Sequence, residues 1–264
     1  AHMSSRFRCV QAAVMWLALL SLPFVAAAQA GPILEPTVVL STRSTDNQHP
    51  AIASSEDGRT VICVWDGVVD GARRILMRES IDGVWLPERI VDTEPLADNR
   101  APAVALDSAG AVHMAWLGQV RGRDRVFYAI SVAGQLINWG PLDGGEGPDD
   151  NCGKISLCLD SDGNPWIAWE AGRGTRVTIR CARLKNGVFQ TDNLTPGATN
   201  QNWFPELFFT PEPIVTWYAD QIPEFVLRAS RFDAETETWQ PVVLSGLDHL
   251  PKNALPQLLR RPSG

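Results

Sequence analysis

Asn99-Arg-Ala-Pro-Ala-Val-Ala-Leu-Asp-Ser-Ala-Gly-Ala-Val-His-Met-Ala-Trp116 reads as a strand, a glycine turn and a second strand. A polar, Arg-rich loop follows, then Val126 to Ser131, then a turn ending at Trp139. That makes three strands and the start of a fourth in about fifty residues. A single unit of this kind cannot bury both of its faces, and the sequence repeats it. Asn47, Asn99, Asn151, Asn202 and Asn253 follow one another at 51–52 residues. Four of them open an Asn-x-x-Pro, at Pro50, Pro102, Pro205 and Pro256; the third has Lys154 in the proline position. Trp65, Trp116, Trp169 and Trp217 keep step at intervals of 48–53 residues. Repetition at roughly 40–50 residues with about four short strands per copy is the pattern of β-propeller blades.

Outward from that unit, the predicted blades are residues 47–98, 99–150, 151–201 and 202–252, with a partial fifth at 253–264. In the first, strand A is expected at Ala51–Ser54, B at Val61–Trp65, C at Ile75–Glu79 and D from Trp85 to Val91. Strand B, Val-Ile-Cys-Val-Trp, is apolar without alternation, as a strand covered on both faces must be. The third copy has strand A at Ile155–Leu159, B at Trp166–Trp169, C at Arg176–Leu184 and a hairpin signal at Asn186-Gly187. The fourth copy replaces the glycine turn with Pro211-Glu212-Pro213. A lone strand, Thr37 to Ser41, precedes the first blade and resembles the last strand of a copy. The termini together supply an A and a D strand. A thin fifth blade, a four-bladed ring with extensions and a fragment of a longer propeller all fit. An open blade edge also invites pairing with another chain.

The first 30 residues read separately. Ala1-His2 before Met3 reads as a cloning scar. Arg6 and Arg8, the apolar run Val10 to Ala28 and the Ala28-Gln29-Ala30 ending make a secretory signal cleaved after Ala30. The predicted mature domain is 31–264, secreted or periplasmic, with no other segment of the ~20 apolar residues that a membrane span needs. Losing residues 1–30 removes two arginines and no acid, so the formal charge moves from −7 to −9. An acidic domain without a basic stripe argues against nucleic acid and anionic membrane as partners. Cys63, Cys152, Cys158 and Cys181 remain; disulfides are permitted but their pairing is not legible. The cysteine spacing matches no metal site, and no cofactor motif occurs. Asn193-Leu-Thr195 is a glycosylation sequon, relevant only in a eukaryotic host.

Pro50-Ala-Ile-Ala53, Gly58, Trp65 and Ser80-Ile-Asp82-Gly83-Val-Trp85, with their echoes through Asn47–Gly264, resemble the sialidase-like Asp-box propellers. The box is shortened around Gly83, and Ser131 to Trp139 and Ser230 to Trp239 are looser. The resemblance implies a propeller, and for enzymes of the family an arginine trio on a carboxylate, a Tyr/Glu nucleophile pair and an Asp acid/base. The family's Arg-Ile-Pro is absent here. Asp66, Glu170, Tyr218 and Asp220, at or just after the strand-B tryptophans, are the reacting groups this reading selects, and paired carboxylates suit glycoside cleavage. Arg73, Arg74, Arg121, Arg123, Arg125, Arg173 and Arg176 fall between strands B and C. A guanidinium fork there suits a carboxylate ligand, although solvated arginines beside Asp70 and Asp124 are the plainer reading.

The D–A and B–C connections lie on one face of a propeller. Asn47, Asn99, Asp150, Asn202, Trp203, Arg121, Arg173 and Asp220 are therefore the expected rim of its mouth. The asparagines recur in every copy, which favours a structural role in turns. The strand-B tryptophans are expected to fill space between blades, and His113 to be packed. Trp203 breaks the pattern directly after Asn202, so it is the leading ligand contact. The expected function is a non-catalytic module binding glycan or an extracytoplasmic protein, with a sialidase-like glycosidase or a fragment of one as the alternative.

Overall fold

A computed structural model describes residues 37–92, 98–142, 151–173, 176–221 and 224–243. Among them there is no helix, and none long and apolar enough to cross a membrane. The expected signal sequence, Asp150 and the expected partial fifth copy at 253–264 lie outside the described residues.

The strands form four antiparallel sheets in sequence order. The first holds β1 (Thr45–Ser54), β2 (Thr60–Val69), β3 (Ala72–Ile81), β4 (Val84–Trp85) and β5 (Arg89–Ile90). The second holds β6 (Asn99–Leu106), β7 (Val112–Val120), β8 (Arg123–Val132) and β9 (Gln135–Trp139). The third holds β10 (Cys152–Leu159), β11 (Pro165–Arg173), β12 (Arg176–Lys185) and β13 (Val188–Asn193). The fourth holds β14 (Asn202–Thr210), β15 (Glu212–Gln221), β16 (Glu224–Asp233) and β17 (Thr238–Val242). This is the propeller fold that the repeat predicts.

The sequence reading is corrected at several boundaries. Thr37–Ser41 carries no strand. Trp65 does not end strand B, because β2 runs four residues further and pairs with β3 to its tip. The first outer strand splits into β4 and β5, both paired with β3, around the interruption at Pro87. The Arg-rich segment is no loop. Arg121-Gly122 is a two-residue hairpin turn with φ of 51° and 75°, and Asp70-Gly71 is its counterpart in the first sheet at 51° and 80°. Two positive φ values give the turn whose twist matches the flanking strands. Arg73, Arg74, Arg123 and Arg125 therefore belong to strands.

The sheets stack face to face in succession. Ile62, Val64, Ile75 and Met77 of the first meet Val112, Met114, Trp116 and Phe127 of the second. Leu117, Val126 and Tyr128 then meet Ile155, Ile167 and Trp169, and Trp166, Ile179 and Cys181 meet Leu207, Val215 and Trp217. Full burial on both faces explains the unbroken apolar strand-B sequences. The described residues do not close a ring: β14 packs on the third sheet and β1 on the second, but no comparable packing joins β14 to β1. The outer flank of the first sheet is left with Ile52 68% exposed and a cleft of about 500 Å³ lined by Leu40, Pro50, Cys63 and Trp65 among others.

The asparagine–tryptophan periodicity has one cause. In three blades the Asn side chain accepts the indole N–H of its own strand-B tryptophan: Trp65 to Asn47 at 3.1 Å, Trp116 to Asn99 at 3.2 Å and Trp217 to Asn202 at 3.0 Å. The third blade departs, since the Asn151 side-chain oxygen instead accepts the backbone N–H of Asp124. Its Trp169 Nε1 is buried without a partner among the described residues. Trp169→Phe should therefore destabilise less than Trp116→Phe by about 1 kcal/mol, because only the latter strands a buried acceptor. Equal losses in denaturant melts of the two variants would refute this.

Among the described residues, none of Cys63, Cys152, Cys158 and Cys181 forms a disulfide. Cys158 pairs with Trp166 across one side of β11, and Cys181 pairs with Ala168 across the other. Two strand spacings, about 10 Å, separate them, beyond the reach of a disulfide.

His113 is packed as expected, Nδ1 2.7 Å from the Tyr128 hydroxyl and Nε2 3.5 Å from Asp107. Burial lowers its pKa against the opposing pull of Asp107, and burial raises that of Tyr128. A histidine with a depressed folded pKa costs nothing above its unfolded value of about 6.5, and below it the unfolded chain takes up the proton first. Stability should thus fall as pH drops from about 6.5 towards 5, with a shallower slope in His113→Gln. Parallel slopes for the two proteins in a pH series of melts would contradict the assignment.

Candidate functional site

Strand A begins and strand B ends at the same end of each sheet, and that end is the mouth. Its chemistry starts from an irregularity that every innermost strand carries. Pairing slips between Gln48 and Ala51, Arg100 and Ala103, Cys152 and Ile155, and Trp203 and Glu206. Each slip is a bulge at the x-Pro (or Gly153-Lys154) of the repeat, where a missing ladder N–H is tolerated. The residue before the proline sits at φ 47° in His49, 50° in Ala101 and 54° in Phe204. A left-handed residue with a Cβ costs about 1–2 kcal/mol.

Strand-B acids hold two of these residues across the blade boundary. Asp66 accepts the N–H of Ala101 at 3.0 Å, and Glu170 accepts that of Phe204 at 2.8 Å. Asp66 is fully buried; its oxygens also meet His49 Nδ1 at 2.7 Å and Arg73 at 2.6 Å. From there charges alternate across the first two blades. Arg73 also binds Asp46 and lies 3.7 Å from Asp98, while Arg100 binds Asp98 at 2.7 Å and Asp124 at 2.6 Å. Arg74 is held by Asp92 at 2.6 Å, and burial raises the Asp92 pKa despite that partner. The arginines of these two blades are thus largely spent on the protein's own carboxylates.

The mouth between the third and fourth blades is different. Glu170 has its pKa raised by burial, opposed by the backbone N–H groups of Phe204 and Lys154 and by the Lys154 charge. Gly153 lies close beside it: an added Cβ would stand 2.3 Å from Glu170 Oε2 and would push the carboxyl aside. Burial likewise raises Glu206, opposed first by Lys154 and then by the Ser156 hydroxyl. Trp203 pairs with Tyr218 across β14–β15, and its ring lies 5.6 Å from that of Phe225. Asp220 faces Phe225 in the next ladder, and its backbone is fixed by Gln201 and Asn200. Tyr218 is 5% exposed, and burial raises its pKa. Phe204 is 45% exposed.

The structure therefore gathers Glu170, Trp203, Tyr218 and Asp220 at one end of adjoining blades. It leaves Asp66 on the first blade and Arg121 on an exposed turn of the second. Asn99 and Asn202 are buried, and Asn47 holds Trp65 and Ser44. The Arg173 backbone closes the β11–β12 ladder opposite Arg176. Phe204, Arg100 and Glu206 are mouth residues that the sequence reading passed over. The only signal for Phe204 was its place as the variable residue of Asn-x-x-Pro. Among the described residues no cluster of His, Cys, Asp and Glu is suited to a metal.

These sheets and their mouth define a β-propeller. No protein-family model matches the sequence, and no curated protein matches it. Among solved structures, the fold is similar to a protein of unknown function from Dyadobacter fermentans, with 16% identity, 80% of this chain and 68% of that one covered and a TM-score of 0.57. It is also similar to a Hadza microbial sialidase (15%, 77% and 47%, 0.52) and to an ulvan lyase bound to -[GlcA(1-4)Rha3S]- (14%, 75% and 55%, 0.53). The chain spans about half the length of the sialidase and the lyase. At such identities the likeness concerns the fold alone.

Proposed function

We propose that this chain is an exported, sialidase-like Asp-box propeller that binds glycan at its mouth without cleaving it. One observation carries the reading: the strand-B acids Asp66 and Glu170 are engaged with backbone N–H groups of the next blade. Their carboxylates work as inter-blade fasteners, which leaves aromatic and hydrogen-bonding groups at the mouth in place of a reacting pair. The sialidase and the ulvan lyase, whose names tie them to carbohydrate, support glycan over an extracytoplasmic protein as ligand. Fold analogy is a weak guide to function on its own, so the site must decide.

The alternative, a sialidase-like glycosidase or a fragment of one, draws on Glu170 and Glu206, two carboxyls with burial-raised pKa values near Lys154. Raised carboxyls are what a general acid requires. A glycan array paired with a fluorogenic glycoside panel separates the two. Saturable binding without turnover, weakened about tenfold by Trp203→Ala, is the expected result. Turnover abolished by Asp220→Asn would overturn it in favour of the enzyme.

A further inference from the structure

We propose that the bulged residue before each strand-A proline is the position at which this propeller displays its contact side chain, and that Phe204 there stacks on the apolar face of a neutral pyranose ring. The proposal rests on the glycan reading and specifies its ligand.

The geometry of the position supports display. A bulge adds a residue that has no ladder partner, and it re-aims the side chain away from the pleat. The occupants differ while the frame around them repeats: His49, Ala101, Gly153 and Phe204. The asparagine two residues ahead and the tryptophan that it binds belong to the repeating frame. Of the four, His49 has a half-exposed side chain and Phe204 is 45% exposed. Variation at a bulge inside a repeating frame lets a repeat protein gain specificity without losing its stacking.

Phe204 is the anomalous member. A bulky residue at φ 54° is strained, and glycine would relieve the strain. Burying the ring would offset that cost, yet Phe204 stays 45% exposed, so packing offsets the strain only in part. Strain retained at a surface aromatic points to use. The residue is held in place by the 2.8 Å bond from its N–H to Glu170, itself fixed on the third blade. The ring thus stands on a rigid backbone between two sheets, with little freedom to lose on binding.

The surroundings select the ligand. Glu170 and Glu206 adjoin the bulge, and Asp220 lies at the same end of the sheet. Lys154 is the cation that these two glutamates share. Arg73 and Arg100 each hold carboxylates of the protein already. Beside the bulge two glutamates face one lysine, so an anionic sugar would be disfavoured against Phe204, whereas hydroxyl donors of a neutral sugar would meet acceptors. A phenyl ring offers a π face to the sugar's C–H groups, the same face that attracts positive edges in proteins.

The test titrates the full chain with neutral tetrasaccharides built from glucose, mannose and galactose, and with sialyllactose. Wild type, Phe204→Gly and Phe204→Trp are compared by calorimetry, with thermal melts of each. The expected result is saturable binding of a neutral tetrasaccharide in preference to sialyllactose. Phe204→Gly should weaken it at least tenfold while melting at or above the wild-type temperature, and Phe204→Trp should retain it. Unchanged affinity in Phe204→Gly would overturn this inference and leave glycan binding intact. Preference for sialyllactose would overturn the neutral-sugar assignment. Failure of wild type to bind any glycan would remove the underlying reading and this inference together.

Discussion

Asp66→Ala is expected to lower stability by about 3 kcal/mol, as losing one partner of a buried ion pair does. In a domain of this size that is roughly 10 °C in thermal midpoint. The carboxylate is fully buried and serves three donors on two blades: His49, Arg73 and the Ala101 N–H. Alanine leaves the backbone N–H of a left-handed residue unsatisfied and strips the mostly buried Arg73 guanidinium of one partner. Asp46 and Asp98 remain near that guanidinium, which keeps the loss towards the lower end of the range. Asp66→Asn, retaining one acceptor oxygen, should lose less. Denaturant melts measure both variants. A loss below 1 kcal/mol in the alanine variant would mean that Asp66 fastens nothing.

Asn99→Ala should cost nearly as much, about 2–4 kcal/mol. Asn99 is fully buried and works in two directions. Its oxygen accepts from Trp116 at 3.2 Å, and its amide donates to Asp92 at 2.5 Å. Each buried group left unpaired costs about 1–3 kcal/mol. Asp92 would keep Arg74 and the Ile75 N–H, so the indole carries the larger share of the penalty. Asn47→Ala provides the internal control. The same bond exists there, but the asparagine is exposed and solvent can replace it. Losses of similar size at the two positions would show that burial does not set the cost.

The blades were legible because their requirements are local and repeated. Period, turn glycines and doubly apolar strand-B runs each follow from a four-stranded sheet covered on both faces. The tryptophans as interblade filling and His113 as a packed residue follow from the same logic. What misled the reading was the reach of the strands. Strand B continues past Trp65 as Asp-Gly-Val-Val69, and polar residues there look like loop when the partner ladder is unseen. For that reason Arg73 and Arg123 read as loop residues in the sequence, and Asp66 as a group at a strand end.

The sequence alone determined that this is an acidic all-β chain built from fifty-residue repeats, because backbone pairing and the burial of both sheet faces leave a periodic mark. It also pointed to the rim asparagines as structural, since every copy carries one. Only the tertiary structure decided which polar side chains are spent and which are free to act. The carboxylates of Asp66 and Glu170 find their partners on the following blade, across contacts some thirty-five residues distant in the chain. No local pattern encodes such a pairing, because it depends on how two separately folded sheets come to stand against each other.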